Sequence, residues 1–133
     1  MNDTARRSFF RTALALFAAL FVLPALAGPA RPFDEASFRK AQQEGKTILV
    51  EVHADWCAAC ARQKPILESL GSDKTFEKVV RLNVDFDRPG NALKLLRATS
   101  QATLIVFKGE QEVARSTFDT KPDSIRAMLA RGI

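Results

Sequence analysis

Two cysteines stand three positions apart in Trp56-Cys57-Ala58-Ala59-Cys60, and the chain of 133 residues carries no others. A pair at this spacing lies on one face of a helix and can close a disulfide with little movement of the backbone. The preceding run Ile48-Leu49-Val50-Glu51-Val52 has the length and β-branched content of a buried strand, and Ala58 through Leu70 has helix-forming composition. The pair therefore opens a helix at the carboxyl edge of a strand, where α/β sheets carry out their chemistry. Free N–H groups and the positive end of the helix dipole favour an anion there, which makes Cys57 the expected nucleophile, solvent-accessible, and Cys60 the resolving thiol.

Other uses of a Cys-x-x-Cys fit less well. Haem attachment needs a histidine directly after the second cysteine, where Ala61 stands. A closed zinc site needs four ligands, and His53 is the single histidine available to join the two cysteines. A bridge over so short a loop restricts little of the unfolded chain, so it is a weak staple. Redox chemistry without a cofactor is the leading reading. A metal-binding factor, for instance one handling copper with Cys57, Cys60 and His53, is the alternative. A third reading is an adaptor that binds partners through the apolar surface around Trp56. Ala58-Ala59 places no histidine between the cysteines to stabilise a thiolate, so the pair belongs nearer the reducing end, as a reductant or electron relay.

The elements that must position this pair follow from the remaining sequence. Residues 1–27 have the pattern of a cleaved export signal, with a basic start, the apolar run Thr12 to Leu23, Pro24, and Ala25-Leu26-Ala27 as a small-x-small cleavage site. That run is shorter than the ~20 residues needed to span a bilayer. Arg6-Arg7-Ser8-Phe9-Phe10-Arg11 also fits twin-arginine export, and either route leads to the bacterial envelope or periplasm, where thiols can be oxidised. Setting aside Arg6, Arg7, Arg11 and Asp3 lowers the net charge from +5 to +3. The remaining charges alternate in sign and make no basic stripe, which argues against nucleic-acid binding.

Residues 28–32 read as a linker and 33–133 as one domain, expected as a monomer. Within it the pattern predicts a helix from about Phe33 to Glu44 and a strand from Thr47 to His53. The cysteine-bearing helix follows, kinked near Arg62 to Pro65, and then a parallel strand from Val79 to Asp85. A short helix ends near Arg97. Thr103 to Phe107 and Glu112 to Thr117 form a hairpin turning at Gly109, and a last helix runs from Pro122 to about Arg131, capped by Thr120 or Asp123. The fold class is α/β: a central mixed sheet of about four strands, flanked by helices on both faces.

This order resembles the thioredoxin family over about residues 33 to 131. The most specific matches are Ala54-Asp55-Trp56-Cys57-Ala58-Ala59-Cys60, Pro65 in the same helix, and Leu82-Asn83-Val84-Asp85 on the next strand. Gly45-Lys46 before the strand and Ala54-Asp55-Trp56-Cys57 after it look most like the C-terminal periplasmic domain of the thiol-disulfide interchange protein DsbD. The resemblance implies dithiol–disulfide exchange with protein partners through a mixed disulfide at Cys57, with electrons supplied by a membrane thiol-reductant transporter. It places Glu51 where the family keeps a buried carboxylate beneath the second cysteine. There Glu51 either takes the proton of Cys60 or pairs with Arg81, and the two roles are compatible. His53 occupies an aromatic position of the pattern, where it packs, tunes the thiols or joins a metal.

The resemblance also implies that Trp56, Ala102 and Thr103 fall on the substrate-binding surface. Ala102 replaces the family's cis-proline. A cis bond before alanine costs ~2.5–4 kcal/mol, so Gln101-Ala102 is expected to be trans, with the methyl facing the cysteines and the sulfurs more open. Phe118-Asp119 stands where the family has a glycine near the end of the hairpin.

Overall fold

The computed structural model describes residues 28–133. The expected signal, its twin-arginine pattern and the cleavage site after Ala27 lie outside the described residues.

Five strands form one sheet: β1 (Arg31–Pro32), β2 (Thr47–His53), β3 (Val80–Asp85), β4 (Thr103–Lys108) and β5 (Gln111–Thr117). Their order is β1-β3-β2-β4-β5. β1, β3 and β2 are parallel, while β4 is antiparallel to both β2 and β5. The mixed sheet agrees with the expected one of about four strands, and its short additional strand β1 corrects the reading of residues 28–32 as linker. Two residues, one of them proline, carry no alternating pattern; such a segment pairs only at an edge, as β1 does along the outer side of β3.

Helices cover both faces. α1 (Glu35–Gln43) starts at Asp34, whose carboxylate accepts the Ser37 N–H at 2.8 Å. α2 (Ala58–Gly71) runs unbroken through Pro65, which lacks the N–H that would bond to the Ala61 carbonyl. α3 is Ala92–Leu96 and α4 is Pro122–Ala130. The expected cap of α4 is also corrected. Neither Thr120 nor Asp123 caps it; Asp119 accepts the Lys121 N–H at 3.0 Å and the Ser124 hydroxyl at 2.5 Å. The β4–β5 hairpin turns at Gly109, whose φ of +57° suits a residue without a Cβ.

β2 lies at the centre and is buried on both sides. Ile48, Val50 and Val52 pack with Phe38 and Ala41 of α1, Ala92 and Leu96 of α3, and Ile105 and Phe107 of β4. Phe38 meets Phe107 edge-on at 5.2 Å between ring centroids. On the opposite face Leu49 packs with Leu67 and Leu70 of α2 and Ile125 and Leu129 of α4. Further along that face β2 carries Glu51 and His53, so its apolar stripe ends beneath the start of α2.

Candidate active site

The turn after β2 delivers Cys57 to the position just before α2. Its N–H donates to the Ala54 carbonyl at 3.1 Å, and its extended backbone (φ −84°, ψ 110°) makes it the N-cap. Cys57 Sγ accepts the Cys60 N–H at 3.1 Å, one of the amides that a helix leaves unpaired at its start. The two cysteines form a disulfide with their Cα atoms 5.2 Å apart. A thiolate at Cys57 would keep this amide and the helix dipole, which is the stabilisation a nucleophile needs.

One expectation is corrected here. Cys57 is only 5% exposed, closed in by Ala54, Ala59 and Ala102, while Cys60 is partly buried. The cause is Ala102. Gln101-Ala102 is trans as expected, but the alanine adopts φ +53° and is wholly buried against Cys57, so losing the proline does not open the sulfur. The nucleophile's role therefore rests on the N-cap hydrogen bond.

The loop around Ala102 is held from three sides. Its carbonyl accepts the Phe118 N–H at 2.9 Å and Gln63 Nε2 at 3.2 Å, and the same Gln63 nitrogen donates to the Asp119 carbonyl at 2.8 Å. Gln63 was not anticipated, yet a signal existed. It shares one helix face with Cys60, Leu67 and Leu70, and a polar residue in a buried stripe needs partners. Thr103, expected at the substrate surface, is buried; its hydroxyl donates to the Ser100 carbonyl at 2.7 Å and so holds the loop from within. Trp56 is 62% exposed, and its indole N–H donates to Asp87 Oδ2 at 2.9 Å, which draws the ring toward the end of β3. Asp87 was likewise unforeseen, because the contact spans 31 positions.

Behind the disulfide lies a cavity of about 500 Å³, lined by both cysteines, Glu51, His53, Gln63, Glu68, Arg81 and Asn83 among others. Arg81 donates to Glu51 Oε1 through Nε at 2.8 Å and Nη2 at 2.7 Å. Among the described residues Oε2 has no partner. Burial raises the Glu51 carboxyl above its ordinary value, against the opposing pull of the Arg81 charge and hydrogen bond. Glu51 is thus paired with Arg81, as one of the two sequence readings had it, and it holds its proton more tightly than a free carboxylate. His53 Nδ1 is buried with no hydrogen-bond partner. Among the described residues no three His, Cys, Asp or Glu side chains gather where they could hold a metal ion. His53 lines the cavity beside Glu51, from the same face of β2.

A β-strand feeding a disulfide at a helix start, on a mixed sheet with helices on both faces, defines a thiol–disulfide site on a thioredoxin fold. The Thioredoxin family profile matches residues 30–131, and the chain belongs to the thioredoxin family. The thioredoxin of Chlamydia muridarum is 31% identical over 85 residues, covering 63% of this chain and 80% of that protein. The crystal structure of Trxlp from Edwardsiella tarda has a TM-score of 0.73 at 36% identity, covering 76% of this chain and 98% of that one. Fasciola hepatica thioredoxin has a TM-score of 0.64 at 27% identity, covering 74% of this chain and 94% of that one. With its Cys57–Cys60 pair the protein is a thiol–disulfide oxidoreductase.

Proposed function

We propose that the protein acts in the bacterial cell envelope as a reductant or electron relay for protein disulfides. It receives electrons from a membrane thiol-reductant transporter in the manner of the C-terminal domain of DsbD. The observation that carries the reading is the disulfide at the start of α2 with the buried Glu51 carboxyl in the cavity behind it. In the reduced protein the Cys57 thiolate attacks a substrate disulfide, forms a mixed disulfide and expels one substrate thiolate. Cys60 gives its proton to Glu51 and attacks Cys57 Sγ, which expels the second substrate thiolate and restores the Cys57–Cys60 disulfide. Two electrons pass to the substrate, and a donor dithiol returns them. Export is supported by the pattern of residues 1–27, and the reducing direction by the absence of a histidine between the cysteines.

Insulin reduction measured with the Cys57→Ser and Cys60→Ser variants tests the assignment. Both lose turnover, and Cys60→Ser accumulates mixed disulfides visible on non-reducing gels. Equal trapping by Cys57→Ser would reverse the roles. A reduction potential closer to that of a strong oxidant than to that of thioredoxin, about −270 mV, would overturn the reducing direction.

A further inference from the structure

Phe118 has an unusual combination of properties. Its φ is +61°, in the left-handed region that a bulky side chain disfavours, and it is 52% exposed. A phenylalanine normally compensates for an unfavourable backbone by packing, and this one packs little. The turn needs this conformation, because the Phe118 N–H donates to the Ala102 carbonyl and the next residue bonds through its own carbonyl to Gln63. Glycine would satisfy that geometry without strain. Backbone strain retained beside a reactive centre, with no packing to justify it, points to a use for the side chain.

The sheet places that residue relative to the disulfide. Val52, Thr103 and Thr117 pair in one line across β2, β4 and β5. Cys57 follows β2, Ala102 precedes β4 and packs against Cys57, and Phe118 follows β5. Trp56 leans the other way, to Asp87 beyond β3. The two exposed aromatics thus stand on opposite sides of the Cys57–Ala102 contact. Strands lie ~4.8 Å apart, so the β5 line that leads to Phe118 is displaced from the β2 line that leads to Cys57 by about 10 Å, the length of roughly three residues of extended chain.

We propose that Phe118 is a specificity-determining residue, selecting target disulfides that carry an apolar side chain about three residues from the attacked cysteine. This rests on the disulfide-exchange reading. The occupant is an extended peptide segment whose cysteine meets Cys57 while its apolar side chain covers the exposed Phe118 ring. The chemistry of exchange is unchanged: the selected disulfide gains two electrons and Cys57–Cys60 is formed.

Two series of disulfide peptides test it, with leucine or glutamate three residues from the attacked cysteine, on either side. The wild-type protein should favour leucine on one side by roughly tenfold in kcat/KM. Phe118→Gly and Phe118→Ala should each bring the ratio to within about twofold. Phe118→Gly should also melt above the wild type, because it relieves the backbone, whereas Phe118→Ala should not. An unchanged ratio in both variants, no preference in the wild type, or a Phe118→Gly protein that melts below the wild type overturns the assignment alone. A wild-type protein that reduces none of the peptides overturns the oxidoreductase reading and this assignment with it.

Discussion

The two faces of β2 are built from alternate residues of one heptapeptide, and they differ in kind. Ile48, Val50 and Val52 look into a closed apolar layer, each no more than 1% exposed. Leu49, Glu51 and His53 look toward α2, and along that face the surroundings change from packed core to the polar cavity behind the disulfide. One face fixes where the strand lies. The other uses the fixed position to hold Glu51 and His53 near the sulfurs, where burial raises the Glu51 carboxyl. The division has a physical reason, since a strand anchored on one side can tolerate a raised carboxyl and an unpartnered imidazole nitrogen on the other.

Substitution on each face can break this contrast. The largest effect is expected from Ile48→Ala, which leaves a void in the closed layer and should cost about 2–5 kcal/mol of a total near 5–15. Urea unfolding measures it, and a cost below that of a surface mutation would mean that the layer can collapse around the gap.

Next comes Glu51→Gln on the cavity face, which should slow resolution of the mixed disulfide by roughly 10²-fold while leaving the first attack nearly intact. Single-turnover kinetics separate the two steps. The same variant carries a pH signature. Because the folded carboxyl titrates above its ordinary 4.5, the native state binds more protons than the unfolded chain between those two values, so Glu51 makes stability fall as pH rises through that window. Glu51→Gln should flatten that part of the stability curve; an unaltered slope would assign it to other groups.

The smallest effect should come from His53→Phe. Removing a buried nitrogen that has no partner should raise stability by about 1 kcal/mol, read as a shift in the unfolding midpoint. A loss instead would show that His53 is satisfied in solution, and would bring the two faces closer in character.

How much of this was legible depends on the range of the interactions. β2, α2, the hairpin and the cysteine pair follow from periodicity and composition within a few positions, and all lie close to where the sequence places them. The pairing of Glu51 with Arg81 was foreseeable from the family resemblance, and the neighbouring parallel strands do bring those residues to one face. β1 was not, since two residues cannot show a period and Arg31–Pro32 has strand character only through its neighbour β3. The closure of Cys57 was misjudged for a related reason. Removing a proline ring looked like making space, but an alanine free to turn to positive φ brings its own methyl into the gap.

Gln63 bears on how the molecule assembles. Its amide joins residues 39 and 56 positions away, whereas the β4–β5 hairpin closes over a few positions. Chain-closure entropy favours the hairpin first and leaves the amide's bonds for late in folding. The order reverses under thermal fluctuation, so the loop around Ala102 and Phe118 should open while the sheet remains intact. Amide exchange at Phe118, faster than in the β4–β5 ladder, would report that opening, and slower exchange would contradict it. The protein's thiol–disulfide exchange activity would then have a lower melting point than its fold.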